Sequence, residues 1–349
     1  MTESPALAPD GSPWSIVDLF AGPGGLDVAA RWLGVPVRGI EWDANACATR
    51  AAAGLKTLAG DVRDHGPGEF AGANVLAGGP PCQTFTVAGH GAGRRNLEQV
   101  LSLVKRMSVG DDVRRTLGEL SDERTGLVLE PLRWILDARK AERPFEAVVL
   151  EQVPAVLPVW AAYAEVLEGI GYNCDLGVLR SEEFGVPQTR RRAILVARLS
   201  SQAKLPAPTH RRFVTGVARG DGDASLLPWQ SMRDALPLRA PFTVVSNYGT
   251  GGDPKARGRR TSDQPSATVT GKVRRNLLVV EGRTETDRFS LQEAGKLQTF
   301  PLDFPWRGRD VAQQIGNAIP PRMGAHVLAS ALELSTDELN WARILNRWS

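Results

Sequence analysis

The first half of the chain alternates short apolar runs with segments of helical spacing. Apolar runs at 15–20, 37–41 and 74–77 are separated by helical patterns at 26–32 and 45–53. Strands that alternate with helices in this way are typical of βαβ units, in which successive strands pair in parallel. The alternation therefore predicts an α/β fold with a doubly wound, mainly parallel sheet, whose ligand sites lie at the carboxyl ends of the strands.

A change in composition divides the chain of 349 residues. Between residues 200 and 287 prolines and glycines become more frequent, helical periodicity fades, and basic residues concentrate. Helical spacing returns at 289–297, and Pro320-Pro321 is suited to the start of a last apolar helix. We predict a catalytic and cofactor-binding domain over 14–199, a small domain over 200–287, and a C-terminal segment over 288–349 that returns to the first domain.

Composition argues against several classes of protein. The three cysteines, Cys47, Cys82 and Cys174, lie far apart and outside any CxxC or Cys/His spacing, so we expect neither a disulfide framework nor a metal site. The sequence has no secretory leader pattern and no apolar run long enough to span a bilayer. A protein of the reducing cytoplasm, without a membrane partner, is expected.

Basic residues cluster in the second half of the chain, as a surface that faces phosphates would require. The net charge of only +3 does not indicate a nucleic-acid partner by itself. Each cluster is equally compatible with a solvated loop. The clusters are Arg190-Arg191-Arg192, Arg211-Arg212, Lys255/Arg257/Arg259/Arg260 and Lys272/Arg274/Arg275.

A glycine-rich segment, DLFAGPGGL at 18–26, follows one predicted strand and precedes a helix. The backbone of such a turn can approach a ligand closely, although some turns of this kind only pack. Glu41 ends the next strand, where an acidic residue binds the ribose hydroxyls of an adenosine cofactor, and Asp61 could accept from the adenine amino group. The spacing GxGG, rather than GxGxxG, favours a smaller adenosine cofactor over a dinucleotide.

Three further groups are predicted at the same edge of the sheet. Cys82 lies in GGPPCQTF after an apolar strand; a lone cysteine is more often a core residue, but the glycines and prolines here favour a turn that presents the thiol. Glu151 follows the buried-strand pattern at 147–150. Gln188, Arg190 and Arg192 enter another strand, where alternation can point both arginines the same way; a surface basic run is the alternative.

These motifs, and the order in which they follow one another along the chain, resemble those of the DNA (cytosine-5)-methyltransferases. The resemblance is to the bacterial, restriction-modification-like members of that family. The resemblance extends over nearly the whole chain outside 200–287. The matching segments are DLFAGPGG, Glu41-Trp42-Asp43, Gly60-Asp61-Val62, PPCQ around Cys82, Glu151-Gln152-Val153, the set Gln188/Arg190/Arg192, LQTFP at 297–301 and QIGNAIPP at 314–321.

The resemblance implies a Rossmann-like class I methyltransferase with a smaller DNA-recognition domain, S-adenosyl-L-methionine as cofactor, and no metal. The expected reaction is methylation of C5 of a flipped cytosine in double-stranded DNA, through a covalent bond between Cys82 and C6. Glu151 would contact N3 and the exocyclic amine, in protonated form if it donates to N3. Arg190 and Arg192, with Gln188, would hold the base carbonyl and the nucleophile loop.

The resemblance also implies a set of cofactor-binding residues, in which Phe20 and Trp42 flank the adenine. A monomer in the prokaryotic cytoplasm, associated with the nucleoid during action, and a companion restriction endonuclease are further expectations. The expected cofactor residues are Phe20, Ala21, Gly22, Gly24, Gly25, Glu41, Trp42, Asp61, Val62, Pro80 and Asn317.

The segment after Cys82 is predicted to close over DNA and to contain a helix of its own. Gly89, Gly91 and Gly93 are candidate hinges, a helical pattern runs over 97–108, and 122–127 resembles the next motif of the family.

Two features depart from the family. Gln152 stands where asparagine is usual, and 200–287 is short for a recognition domain. The alternatives are an RNA cytosine methyltransferase on the same scaffold and a catalytically silent regulator that binds DNA or cofactor.

Overall fold

The computed structural model describes residues 7–81, 92–113, 116–117, 126–237, 239–246, 257–280, 282, 285–337 and 339–348, with the backbone alone at 92–96. Cys82, the hinges Gly89 and Gly91, residues 122–125 and Lys255 therefore lie outside the described residues.

Among the described residues, the first 200 positions contain eight strands. They are β1 (Ile16–Leu19), β2 (Val37–Glu41), β3 (Thr57–Ala59), β4 (Val75–Gly78), β5 (Ala147–Gln152), β6 (Asn173–Arg180), β7 (Gln188–Thr189) and β8 (Arg191–Arg198). Seven of them form a sheet in the order β3-β2-β1-β4-β5-β8-β6. Neighbours from β3 to β5 pair in parallel, whereas β8 runs antiparallel to both β5 and β6. The predicted mainly parallel, doubly wound sheet is confirmed.

The described residues include ten helices, some of which cover both faces of this sheet while others pack against the smaller sheet described below. They are α1 (Gly25–Trp32), α2 (Ala44–Ala52), α3 (Ala92–Ser108), α4 (Glu130–Lys140), α5 (Leu157–Gly169), α6 (Met232–Ala235), α7 (Leu291–Leu297), α8 (Val311–Asn317), α9 (Pro321–Leu332) and α10 (Trp341–Ile344). Alternate residues of a strand face opposite layers. Accordingly, Val148 packs with α4 and α5, while Val149 packs with α1 and α9. The helix predicted within the segment after Cys82 is present as α3.

A second, smaller sheet is antiparallel. Its strands are β9 (Phe242–Val245), β10 (Arg259–Thr261), β12 (Leu277–Val280) and β13 (Thr286–Asp287), in the order β10-β9-β12-β13. The short strand β11 (Ser266–Ala267) instead pairs with β7. Phe242, Val244 and Leu278 share one apolar cluster with Leu297 of α7 and Ile315 of α8. The predicted smaller second unit is confirmed as a separate sheet, while its sequence bounds remain a prediction.

The strand β6 was not predicted, because its residues form no apolar run. It is an edge strand that pairs only with β8 in the sheet, and every one of its residues is at least partly exposed. Asn173 and Asp175 alternate with Cys174 and Leu176, which pack against the main core, so the segment carries the period-two pattern of a half-buried strand instead of an apolar run.

None of the described helices is long and apolar enough to cross a membrane. Within the same residues, no cluster of three or more His, Cys, Asp or Glu side chains could hold a metal ion.

Candidate active site

The carboxyl ends of the parallel strands converge on one edge of the main sheet. Since β8 runs antiparallel to β5, the amino end of β8 lies at this edge as well. The glycine turn after β1, Glu41 at the end of β2, Pro80 after β4, Glu151 near the end of β5 and Arg192 near the start of β8 therefore meet there. The sheet topology thus brings these five predicted groups to a single edge.

The glycine turn between β1 and α1 depends on unusual backbone angles. Gly22 and Gly24 have φ values of 54° and 104°, a left-handed conformation that favours glycine. Nothing lies within 4 Å of where a Cβ of Gly22 would be, so the backbone there faces open space. A Cβ on Gly25 would lie 2.5 Å from the carbonyl oxygen of Ile319, which only glycine avoids. The turn therefore combines a fixed backbone with an open face.

Glu41 is a buried carboxylate beside this turn, with 7% of its surface exposed. Its Oε2 accepts from the backbone N–H of Gly22 at 2.7 Å, and its Oε1 accepts from those of Trp42 and Asp43 at 2.9 and 2.7 Å. Burial raises the pKa of Glu41, and these N–H bonds oppose the rise. A carboxylate can accept about four hydrogen bonds, so Oε2 retains capacity for a ligand hydroxyl.

The other predicted cofactor residues lie in different environments. Trp42 is 69% exposed, whereas Phe20 is partly buried with φ of 59° and Val62 belongs to the main apolar core. The carboxylate of Asp61 accepts from the Arg63 guanidinium, with the shortest contact 2.7 Å, and this hydrogen bonding lowers the pKa of Asp61. Asn317 is exposed and accepts from Gln313 at 2.7 Å.

Glu151 and Arg192 form a largely buried ion pair at the same edge. The Arg192 Nε lies 2.5 Å from Glu151 Oε1. Burial lowers the pKa of Arg192, and the Glu151 carboxylate opposes that shift. A Cβ on Gly79 would lie 3.3 Å from Glu151 Oε2, so this carboxylate borders the backbone that leads to Cys82.

Gln152, which stands where the family usually has asparagine, hydrogen-bonds to the backbone before Cys82. Its Nε2 donates to the carbonyl of Pro80 at 2.5 Å, and its Oε1 accepts from the N–H of Val153. The longer side chain therefore contacts the segment immediately before Cys82.

Arg190 and Gln188 form their hydrogen bonds with other segments, although the charges of Arg192 and Glu151 act on Arg190. The Arg190 guanidinium is buried and donates to the carbonyls of Val269, Gly316 and Ala318. Gln188 donates to Leu297 and Gln298 and accepts from the N–H of Val269. Because β7 ends at Thr189 and β8 begins at Arg191, Arg190 falls at a break in the strand, where simple alternation does not apply.

The structure divides the basic clusters by environment. Arg211 donates to carbonyls of its own loop, at Asp223, Arg219 and Gly220. Arg260 donates to Pro265 and Ser266. In contrast, the exposed basic side chains include Arg191, Arg212, Arg259, Lys272, Arg274 and Arg275.

One charged pair at the site was not anticipated from the sequence. Asp27 of α1 and Arg50 of α2 meet beneath the glycine turn, both without solvent exposure. An aspartate in the first turn of a helix usually signals a favourable dipole interaction. Nothing in the sequence indicates that a residue 23 positions later reaches it.

Comparison with known proteins agrees with this geometry. A family model described as C-5 cytosine-specific DNA methylase matches residues 14–105 and 118–218, more than half of the chain. The Type II methyltransferase M1.HphI of Haemophilus parahaemolyticus is 29% identical over 292 residues, covering 76% of this chain and 70% of its own. The Type II methyltransferase M.SacI of Streptomyces achromogenes is 26% identical, covering 91% and 92%.

Solved structures support the fold. The Dnmt2 methyltransferase of S. pombe superposes with a TM-score of 0.60 at 17% identity, covering 92% of this chain and 98% of its own. A putative DNA modification methyltransferase from an E. coli prophage gives 0.59 at 16% identity, with 92% and 99% covered. The sheet topology, the order of the motifs and the extent of the family match agree. The chain therefore belongs to the C-5 cytosine-specific DNA methylases and is a DNA cytosine-5 methyltransferase of the restriction-modification type.

Proposed function

We propose that this enzyme methylates C5 of a flipped cytosine in double-stranded DNA, with S-adenosyl-L-methionine as methyl donor and Cys82 as covalent nucleophile. The observation that carries the proposal is the buried Glu151–Arg192 pair, which borders the Gly79-Pro80 backbone directly before Cys82. This pair shares its sheet edge with the glycine turn and Glu41.

The residues at the glycine turn fit an adenosine-containing methyl donor. The open face at Gly22 can accept the methionine portion, and the free capacity of Glu41 Oε2 can accept a ribose hydroxyl. Trp42 offers an exposed aromatic ring beside Glu41, suited to stacking on adenine. S-adenosyl-L-methionine, when bound, supplies an electrophilic methyl group.

The predicted adenine and turn contacts complete this assignment. Asp61 accepts from the backbone N–H and the guanidinium of Arg63, and an adenine amino group would replace one of these exposed contacts. Val62 would contribute its backbone, since its side chain is in the core. By resemblance, the remaining cofactor contacts are Phe20, Ala21, Gly24, Gly25, Pro80 and Asn317.

Chemistry at the base begins with Cys82, because C5 of cytosine is a weak nucleophile. The thiolate forms a bond to C6, and electron density moves onto C5, which then takes the methyl group. Glu151 holds N3 and the exocyclic amine and stabilises the charge that develops on the ring. Loss of the C5 proton to a base and cleavage of the bond between sulfur and C6 release the product.

Arg192 and Arg190 receive different roles in this proposal. Arg192 lies beside Glu151, where it can fix that carboxylate and face the base carbonyl. Arg190 and Gln188 are assigned as positioning residues, since their polar atoms bind Val269 and the segment around Ala318.

The target base must leave the helix before these groups can reach C5 and C6, at a cost of a few kcal/mol. We propose that the segment from Cys82 through α3 closes over the DNA and stabilises the flipped state. On the basis of its Type II relatives, we further propose that the enzyme works as a monomer in the cytoplasm, associates with the nucleoid, and accompanies a restriction endonuclease.

Covalent trapping tests the proposal. The protein is incubated with S-adenosyl-L-methionine and duplex DNA that carries 5-fluorocytosine, where fluorine prevents loss of the C5 substituent. We expect an adduct that survives denaturation and that is absent in Cys82→Ala. An adduct on RNA alone would favour the RNA methyltransferase, and cofactor binding without any adduct or methyl transfer would favour the silent regulator.

A further inference from the structure

We propose that Arg50 and Asp27 are positioning residues of the cofactor site, because their buried ion pair joins the three elements that carry the predicted cofactor contacts. These elements are the glycine turn, the strand β2 that ends in Glu41, and the strand β3 that leads to Asp61. The inference rests on the cofactor site proposed above, and it concerns residues outside every motif of the family resemblance.

The pair itself is fully enclosed. Arg50 Nη1 lies 2.8 Å from Asp27 Oδ2, and Arg50 Nη2 lies 2.6 Å from Asp27 Oδ1, so the guanidinium binds the carboxylate through two parallel hydrogen bonds. Neither side chain is exposed to solvent. This two-point geometry fixes the orientation of the guanidinium plane as well as its position.

The remaining donor capacity of Arg50 is directed at two of the three elements. Its Nη1 donates to the carbonyl of Ala21 in the glycine turn at 3.4 Å. Its Nη2 donates to the carbonyl of Lys56, and its Nε donates to the Thr57 hydroxyl at 2.8 Å. Lys56 and Thr57 begin the segment that reaches Asp61 through β3. Arg50 therefore connects the turn to the adenine side of the site.

The third element, β2, packs directly against the Arg50 guanidinium at Gly39. A Cβ on Gly39 would lie 2.2 Å from Arg50 Nη2 and 2.6 Å from the Cβ of Ala21. Only glycine at this position lets the guanidinium pass beneath the strand, two residues before Glu41. The close fit means that a displaced guanidinium would move β2 and the turn together.

The charge of Arg50 also acts on nearby acids. Asp18 at β1 is buried, and burial and the Asp27 charge raise its pKa well above the usual range, while the Arg50 charge opposes this. The same positive charge lowers the pKa of Glu41 against the effect of burial. Arg50 thus favours the ionised Glu41 that would accept a ribose hydroxyl.

The test measures the binding of S-adenosylhomocysteine by calorimetry, together with the Tm of the ligand-free protein. Arg50→Lys keeps a charge but lacks the planar fork, so we expect binding about tenfold weaker or more. The double variant Asp27→Leu/Arg50→Met removes both charges, a change that often leaves stability nearly unaltered. We expect its Tm to approach that of the wild type while its binding stays at least about tenfold weaker.

A matched control lies at the opposite edge of the same sheet. Arg198 is buried, lies 3.5 Å from Glu146, and donates to the carbonyl of Ala331. The variant Glu146→Leu/Arg198→Met should bind S-adenosylhomocysteine like the wild type. Wild-type affinity in the folded Asp27→Leu/Arg50→Met variant, or equal weakening in the control, would overturn the inference. Failure of the wild type to bind would instead refute the cofactor site on which it depends.

Discussion

Trp42 shows how a single exposed residue can be assigned to binding. Its ring is 69% exposed directly after the buried Glu41, so it contributes little to the apolar core. Stacking of a base on an aromatic ring is worth about 1–3 kcal/mol. We expect Trp42→Ala to weaken S-adenosylhomocysteine binding about tenfold or more without lowering the Tm, as measured by calorimetry and thermal unfolding. The control Leu302→Ala, at another exposed apolar residue, should change neither quantity.

Gln152 is the second residue with a specific expectation. Its amide donates to the Pro80 carbonyl and so restrains the backbone before Cys82. We expect Gln152→Ala to lower the single-turnover rate of methyl transfer roughly tenfold, about the worth of one hydrogen bond, with unchanged cofactor affinity. Gln152→Asn keeps the amide and should stay within a few-fold of the wild type. A wild-type rate in Gln152→Ala would show that the restraint has no role in catalysis.

At the scale of elements, three buried polar side chains link the main sheet to the segments that pack with the small sheet. They are Gln188, Arg190 and Gln298. Gln188 and Arg190 both bind Val269, Arg190 reaches Ala318, and Gln298 donates to Ile315 and Ala318. A Cβ on Gly316 would lie 2.3 Å from the Gly271 nitrogen, so the two segments are in close contact. The exposed cations that follow Gly271 are thereby held on a supported turn rather than a free loop.

This turn carries Lys272, Arg274 and Arg275, all exposed. If it binds DNA phosphates, each lost contact should reduce the slope of log K against log salt by about one. We expect Lys272→Ala/Arg274→Ala/Arg275→Ala to weaken binding of any duplex and to lower that slope by roughly two to three. Fluorescence anisotropy measures the binding constant and its salt slope between about 50 and 200 mM salt, the range over which such contacts are resolved.

The matched control for this turn removes three exposed cations from the far edge of the main sheet. Arg139 and Lys140 end α4, and Arg143 follows before β5 begins. Arg139→Ala/Lys140→Ala/Arg143→Ala should leave the salt slope as in the wild type. An equal change in both triple variants would assign the effect to net charge instead of to this turn.

At the scale of the whole molecule, buried histidines connect folding stability to pH. His326 of α9 stacks on Trp341, and burial and the Arg322 charge lower its pKa to about 4, with Asp337 opposing. Burial likewise lowers the pKa of His210 to about 3, whereas it raises that of Glu182 to about 7. Between pH 6.5 and 4.5 both histidines carry protons in the unfolded chain and stay largely neutral in the folded state, which instead holds one proton on Glu182, so the unfolded chain binds more protons. Stability should therefore fall on acidification through this window.

His326→Phe tests this linkage, because phenylalanine can keep the ring contact without titrating. The free energy of unfolding, measured with urea, should fall between pH 7 and pH 4.5 in both proteins. We expect the fall to be smaller in His326→Phe than in the wild type by roughly 2–3 kcal/mol. His326→Gln, which also cannot titrate, should flatten the pH dependence by a similar amount despite its poorer packing. An unchanged pH dependence in both variants would assign the acid sensitivity to other groups.

The sequence by itself determined the parallel sheet and the order of its motifs, because buried strands and glycine turns leave local patterns that need no tertiary information. The prediction missed β6, where apolar residues alternate with polar ones instead of forming a run, and it did not anticipate that Arg190, at a break between strands, hydrogen-bonds to other segments than Arg192 does. The Asp27–Arg50 pair was also decided only by the tertiary structure. Its partners come from different helices, and a buried charge can be satisfied only by groups that the fold brings together.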